Sequence, residues 1–222
     1  MDFQKIEKGS VILCSGDSVT DCGRARPYGS YRDSLGESYV KRLHEIVTAE
    51  YPEKEIKFVN AGISGETSRH IRNRWISDCE AVKPDYATLL IGVNDVWRQY
   101  DRWMDKDMAV GIEEYEENLR FVAEWSAKNL KGFTIIAPFF LELDREEFFM
   151  KQVLARAAVC EKIARETGAQ FISLQDELDR LCRSRYTLSF SPDRVHPFPV
   201  THTAIALYLL RQWNFKFRFE ER

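Results

Sequence analysis

Five short, nearly unbroken apolar runs separated by segments of helical period constrain this chain more than anything else in it. The runs are Ser10 to Cys14, Ile56 to Val59, Tyr86 to Ile91, Phe133 to Ala137 and Gln170 to Ser173. Continuous runs rich in β-branched residues suit strands covered on both faces. Between them, Ile112, Tyr115, Leu119 and Val122 fall on one helical face, as do Val153, Ala157, Cys160 and Ala164. Ala204 to Trp213 reads as a final, largely buried helix. The β-α-β-α order predicts an α/β fold, a parallel sheet with right-handed crossovers and helices on both faces. A length of 222 residues with no linker or repeat is expected to form one domain over 1–222. In such sheets ligands sit beyond the carboxyl ends of the strands, so residues just after each strand are where function is to be sought.

Composition narrows the classes. Thirty-two basic against thirty-five acidic side chains give a net charge of -3, without the basic excess of a general nucleic-acid binder. No uncharged apolar run reaches the ~18 residues a membrane span needs. Met1 to Lys8 lacks an apolar signal region, so a native start at Met1 predicts a cytoplasmic protein. The five cysteines are scattered, odd in number and without a CxxC pair, and read as reduced, packed thiols.

Gly16-Asp17-Ser18-Val19-Thr20-Asp21 follows the first run, and Asn60-Ala61-Gly62-Ile63-Ser64-Gly65-Glu66-Thr67 begins at the end of the second. Gly92-Val93-Asn94-Asp95 follows the third, and Asp193-Arg194-Val195-His196-Pro197 stands near the C-terminus. Each alone is ordinary turn and cap chemistry. Together and in order they resemble the four sequence blocks of the SGNH, or GDSL, hydrolases. Ser18 matches the nucleophile, Gly65 the second-block glycine, Asn94 the third-block asparagine, and Asp193 with His196 the D-x-x-H pair. Over Gly16 to Pro27 and Asn94 to Asp101 the chain is more similar still to the cytosolic acetyl-xylan esterase branch. Two positions depart from the pattern: Ser15, where an aliphatic residue is usual, and Thr201, where a glycine often precedes the histidine matched by His202.

The resemblance implies a flavodoxin-like three-layer α/β/α sandwich with a five-stranded parallel sheet, hydrolysis of small acyl esters, and no metal or cofactor. Ser18 would be the nucleophile, His196 its base and Asp193 the group that orients the imidazole. The oxyanion hole would be the backbone N–H groups of Ser18 and Gly65 and the side-chain amide of Asn94. Trp97, Arg98 and Tyr100, just past Asn94, are expected to rim the pocket and bind a small acetylated saccharide. The reading is therefore a carbohydrate acetylesterase, with a lysophospholipase or thioesterase of the same superfamily as alternative. A non-catalytic binding module is a third reading, against which the complete reacting set speaks.

Other residues take quieter expectations. Asp17 is expected to bond backbone or cationic groups near the nucleophile turn and Asp21 to cap the following helix. The glycine loop of Gly62 and Gly65 lacks a nucleotide-binding spacing. His44 and His70 read as helix residues and His202 as a structural hydrogen-bonding group. Glu113 to Glu117 reads as a helix N-terminus favoured by the macrodipole. The tail Phe215 to Phe219 alternates as an edge strand does, and fits either pairing in a homo-oligomer or local packing.

Overall fold

A computed structural model describes residues 1–28, 32–101, 104 and 108–218. Five strands form one parallel sheet: β1 (Val11–Gly16), β2 (Lys57–Gly62), β3 (Tyr86–Leu90), β4 (Gly132–Ile136) and β5 (Gln170–Ile172). Their order is β2-β1-β3-β4-β5, the flavodoxin-like winding. Each apolar run identified in the sequence is one of these strands.

Successive strand residues face opposite sides of the sheet, and the core divides accordingly. Ile12, Cys14, Leu90 and Ile136 join one buried cluster, while Leu13, Leu89 and Ile135 join the other. The first side is covered by α2 (Tyr39–Glu50) and α8 (Pro199–Gln212), through Leu43, Val47, Ile205 and Leu209. The second is covered by α3 (Ser68–Val82), α5 (Ile112–Asn129) and α6 (Phe148–Thr167), through Trp75, Leu119 and Ile163. Three layers result. The remaining helices, α1 (Ser18–Asp21), α4 (Val93–Asp101) and α7 (Gln175–Ser184), start close after β1, β3 and β5.

The tail departs from the edge-strand expectation over its described part. Residues 215–217 form no strand: the Phe215 ring lies 4.7 Å from Phe3 and 5.3 Å from Tyr51, and Tyr51 donates to the Lys216 carbonyl at 2.6 Å. The aromatic ring of Phe215 packs instead on Phe3 near the N-terminus and on Tyr51 just past α2. Phe219 lies outside the described residues. Among the described residues no helix is long and apolar enough to cross a membrane.

Candidate active site

The sheet register brings three loops together. Gly16 at the end of β1 stands opposite Gly62 on β2 and Leu90 on β3. Ser18, Gly65 and Asn94 follow those three positions by two, three and four residues, at the carboxyl edge where the winding reverses. Gly62 is required for closeness, since a Cβ there would meet the Asp21 nitrogen at 2.3 Å. Gly65 is required for conformation: its φ of +85° lies in the left-handed region.

Ser18 is the first residue of the one-turn helix α1. Asp17 caps that helix by accepting from the Val19 N–H at 3.0 Å. Ser18 Oγ lies 2.9 Å from His196 Nε2, across 178 positions of sequence. His196 Nδ1 lies 2.6 Å from Asp193 Oδ2. A proton on Nδ1 serves that carboxylate and leaves the Nε2 lone pair for the serine hydroxyl. Asp193 Oδ1 accepts from the N–H groups of Val195 at 3.0 Å and His196 at 2.8 Å, which fixes the loop turn. Burial works against ionisation of Asp193. The hydrogen bonds from the His196 backbone and ring outweigh it and hold the carboxyl below its ordinary value.

The loop carrying this pair is fastened at both ends. Arg194, between Asp193 and His196, adopts a φ of +66° while its guanidinium donates to Glu142 at 2.6 Å. Thr201, the departure from glycine noted above, is fully buried and its hydroxyl donates to the Phe190 carbonyl at 2.8 Å. The threonine therefore binds the start of α8 to the loop that carries His196. Ser15, the other departure, is buried with a hydroxyl that has no partner among the described residues; nothing in the structure explains it.

The candidate oxyanion donors come from the loops that follow β1, β2 and β3. The Ser18 and Gly65 N–H groups make no hydrogen bond to protein among the described residues. Asn94, in the first turn of α4, spends one amide hydrogen on the Glu66 carbonyl at 2.9 Å. The second hydrogen of that nitrogen stays available to a ligand. Ser18, Gly65 and Asn94 thus come from three loops at one edge of the sheet, and donors gathered there can receive a developing negative charge.

Of the three expected rim residues, Trp97 lies beside the imidazole, with ring centroids 5.9 Å apart. Arg98 lies beside Gly65, its Nη2 within 3.6 Å of where a Cβ would stand, and it pairs with Asp101. Tyr100, about one turn farther along α4 than Trp97, is half exposed and packs on Phe148 at 5.2 Å.

Asp21 does not cap the following helix. It is the last residue of α1, and its carboxylate accepts from the Ser64 N–H at 2.9 Å, the Arg24 N–H at 3.2 Å and Arg26 at 2.9 Å. The helix ends at Cys22 in a left-handed conformation, which turns the Asp21 side chain back to the second loop. Asn60 was readable as turn punctuation, yet its amide donates to the Thr20 carbonyl at 2.6 Å and the Leu35 carbonyl at 2.8 Å. Asp95, beside Asn94, is wholly buried and receives the Ser68 N–H and hydroxyl. Burial raises Asp17 to about 7, with the neighbouring Asp95 adding to the effect, and raises Asp95 to about 6 against the Ser68 bonds. Sequence reasoning singled out neither Asn60 nor Asp95 as working residues; the short polar types at strand ends were the available signal.

The other histidines stay outside this constellation. His70 accepts from the Thr67 N–H in a capping box at the start of α3, and His44 lies on α2. His202 Nδ1 accepts from the Tyr39 N–H at 3.2 Å, and burial lowers its pKa to about 4, so the ring is neutral. Among the described residues no group of three His, Cys, Asp or Glu is placed to hold a metal ion.

Residues 14–204 match the GDSL-like Lipase/Acylhydrolase family. The chain belongs to this family. An acetylxylan esterase of Geobacillus stearothermophilus is 38% identical over 213 residues, spanning 96% of this chain and 97% of the relative. The crystal structure of Axe2, an acetylxylan esterase from that organism, superposes with a TM-score of 0.91 at 38% identity, covering 96% of this chain and 97% of that one. LAE5, an alpha/beta hydrolase enzyme from the metagenome of Lake Arreo, Spain, gives 0.90 at 31% identity over 95% of this chain and 98% of its own. Solved catalytic mutants of Axe2 replace a serine, a histidine and an aspartate with alanine. The resemblance drawn from the sequence blocks and the flavodoxin-like sandwich expected from it both agree with this membership in the GDSL-like family.

Proposed function

We propose that this chain is a serine esterase that removes acetyl groups from carbohydrates, xylo-oligosaccharides first among them. The observation that carries the reading is the continuous contact Ser18 Oγ to His196 Nε2, His196 Nδ1 to Asp193, at 2.9 and 2.6 Å. A serine hydroxyl needs such a base to attack a carbonyl, and the oriented imidazole supplies it.

His196 takes the Ser18 proton as Oγ adds to the acetyl carbonyl. The oxygen of the tetrahedral intermediate receives the Ser18 and Gly65 N–H groups and the Asn94 amide. His196 then gives its proton to the departing sugar oxygen, leaving acetyl-Ser18. Water, deprotonated by the same imidazole, adds to that ester and releases acetate. Trp97 offers an aromatic face to the sugar and Arg98 donors to its hydroxyls. The near full-length likeness to an acetylxylan esterase supports acetyl as the acyl group and xylo-oligosaccharide as its carrier. Cytoplasmic action on small saccharides goes with five cysteines that all remain free thiols.

Acetate release from acetylated xylo-oligosaccharides tests this reading. Wild type is expected to turn over and Ser18→Ala to lose at least ~10³-fold in kcat. A Ser18→Ala enzyme with wild-type turnover would overturn the assignment. Rates on aryl esters are expected to fall from two-carbon to eight-carbon acyl groups. A rise instead points to a lysophospholipase or thioesterase.

A further inference from the structure

Asn94 and its neighbour Asp95 hold the same loop from two points. The Asn94 amide donates to the Glu66 carbonyl at 2.9 Å. The Asp95 carboxylate receives the Ser68 N–H at 3.1 and 3.0 Å on its two oxygens, and the Ser68 hydroxyl at 2.5 Å. Gly65, whose N–H faces no protein acceptor among the described residues, lies one residue before the first of these ties and three before the second. On its other side, the loop is held by Ile63 N–H to the Gly16 carbonyl and Ser64 N–H to Asp21.

We propose that Asp95 is a positioning residue that fixes the Gly65 N–H relative to the Asn94 amide, and so sets the geometry of the oxyanion hole. The proposal rests on the esterase reading above. Its physical basis is the place of Asp95 in the fold. It leaves α4 beside one donor and clamps the first residue of α3, just beyond the other. Its own helix gives it no freedom, since it lies in the first turn of α4 and is fully buried. The far end of the clamp is braced too. Asn118 of α5 donates to Ser68 Oγ at 3.1 Å and itself accepts from Arg72 at 3.2 Å. A buried carboxylate costs desolvation, and here hydrogen bonds from a helix start and a hydroxyl offset part of it. What the chain gains is rigidity between two donors whose value depends on sub-ångström placement.

A double-mutant cycle on kcat tests the proposal. Asp95→Asn keeps the shape but loses the charge and one acceptor, and is expected to lower kcat about tenfold with KM changed less than about threefold. Asn94→Ala is expected to lower kcat by ~10²–10³. Combined, the two are expected to stay within about threefold of Asn94→Ala alone, because a clamp has nothing to align once a donor is gone. Ser68→Ala, which spares the carboxylate and the N–H bond, is expected to give a smaller loss of kcat with the same dependence on Asn94. Full multiplication of the losses, or wild-type kcat in both Asp95→Asn and Ser68→Ala, overturns the clamp. Those results leave the esterase reading standing, whereas an active Ser18→Ala removes both.

Discussion

Asp193 bonds His196 twice, at its ring (2.6 Å) and its N–H (2.8 Å), and also accepts from the Val195 N–H at 3.0 Å and the Ser191 hydroxyl at 3.2 Å. One carboxylate thus shapes the loop and chooses the tautomer of the ring that the loop carries. Asp193→Asn should keep the turn, since an amide oxygen still accepts from backbone. Its NH2 group cannot accept from Nδ1–H, so the ring is free to place its proton on Nε2, facing Ser18. The expected result is a ~10³- to 10⁴-fold lower kcat with little change in KM. Steady-state kinetics on an aryl acetate reads it, and a variant within about threefold of wild type would remove Asp193 from the mechanism.

Asn60 carries stability rather than chemistry. It bonds the carbonyls of Thr20 and Leu35 while its own oxygen accepts from the Gly62 N–H at 2.8 Å, all in the core. Alanine at this position leaves two buried carbonyls and one N–H short of a partner. Such groups cost ~1–3 kcal/mol each when unsatisfied, and the loop relaxes part of that away. Asn60→Ala should therefore lose about 2–4 kcal/mol in urea unfolding, with an unchanged m-value. A loss below about 0.5 kcal/mol would mean that water takes over these bonds.

These two residues show what a sequence can and cannot disclose. Asp193 and His196 stand three apart, and Ser18 comes two residues after a strand, so spacing and strand ends expose the reacting groups. The sheet was legible for the same reason, because each strand is a continuous apolar run of the length a buried parallel strand needs. Asn60, Asp95 and Asp21 reach partners 27 to 43 residues away through hydrogen bonds that leave no periodic trace. Asp21 was misread because a helix expected to start after it instead ends on it. The tail was misread because alternation records which side of a chain is apolar, not whether a strand neighbour is at hand.

Trp97 is expected to act on the sugar and not on the acyl group. Its ring sits 5.9 Å from His196, the group that protonates the departing sugar oxygen in the proposed reaction, and 6.3 Å from Phe149. Loss of one stacking face is worth ~0.5–1.5 kcal/mol. Trp97→Ala should then raise KM for acetylated xylo-oligosaccharides about three- to tenfold. The kcat/KM for a small alkyl acetate should stay within about twofold. Equal losses on both substrates would instead make Trp97 a support for His196.

Two buried groups give stability opposing pH dependences. Asp17 is raised by burial from 3.8 to about 7, so between those values the folded chain holds a proton that the unfolded chain has released. Stability from this site therefore falls as pH rises through that window, and the cost is complete above about pH 7. His202 is lowered by burial from 6.5 to about 4, so the unfolded chain binds the extra proton and stability falls as pH drops through that range. The two slopes offset each other between about pH 4 and 6.5. Asp17→Asn removes one of them while its side-chain oxygen can still cap the Val19 N–H. The variant should gain thermal stability over wild type at pH 8, and that advantage should shrink or reverse at pH 4. Its own melting temperature should climb from pH 4 to 6.5 more steeply than that of wild type. Thermal unfolding at fixed ionic strength across pH 4–8 measures both. A constant offset between the two proteins would mean that Asp17 is ionised throughout, with the buried charge neutralised by its surroundings.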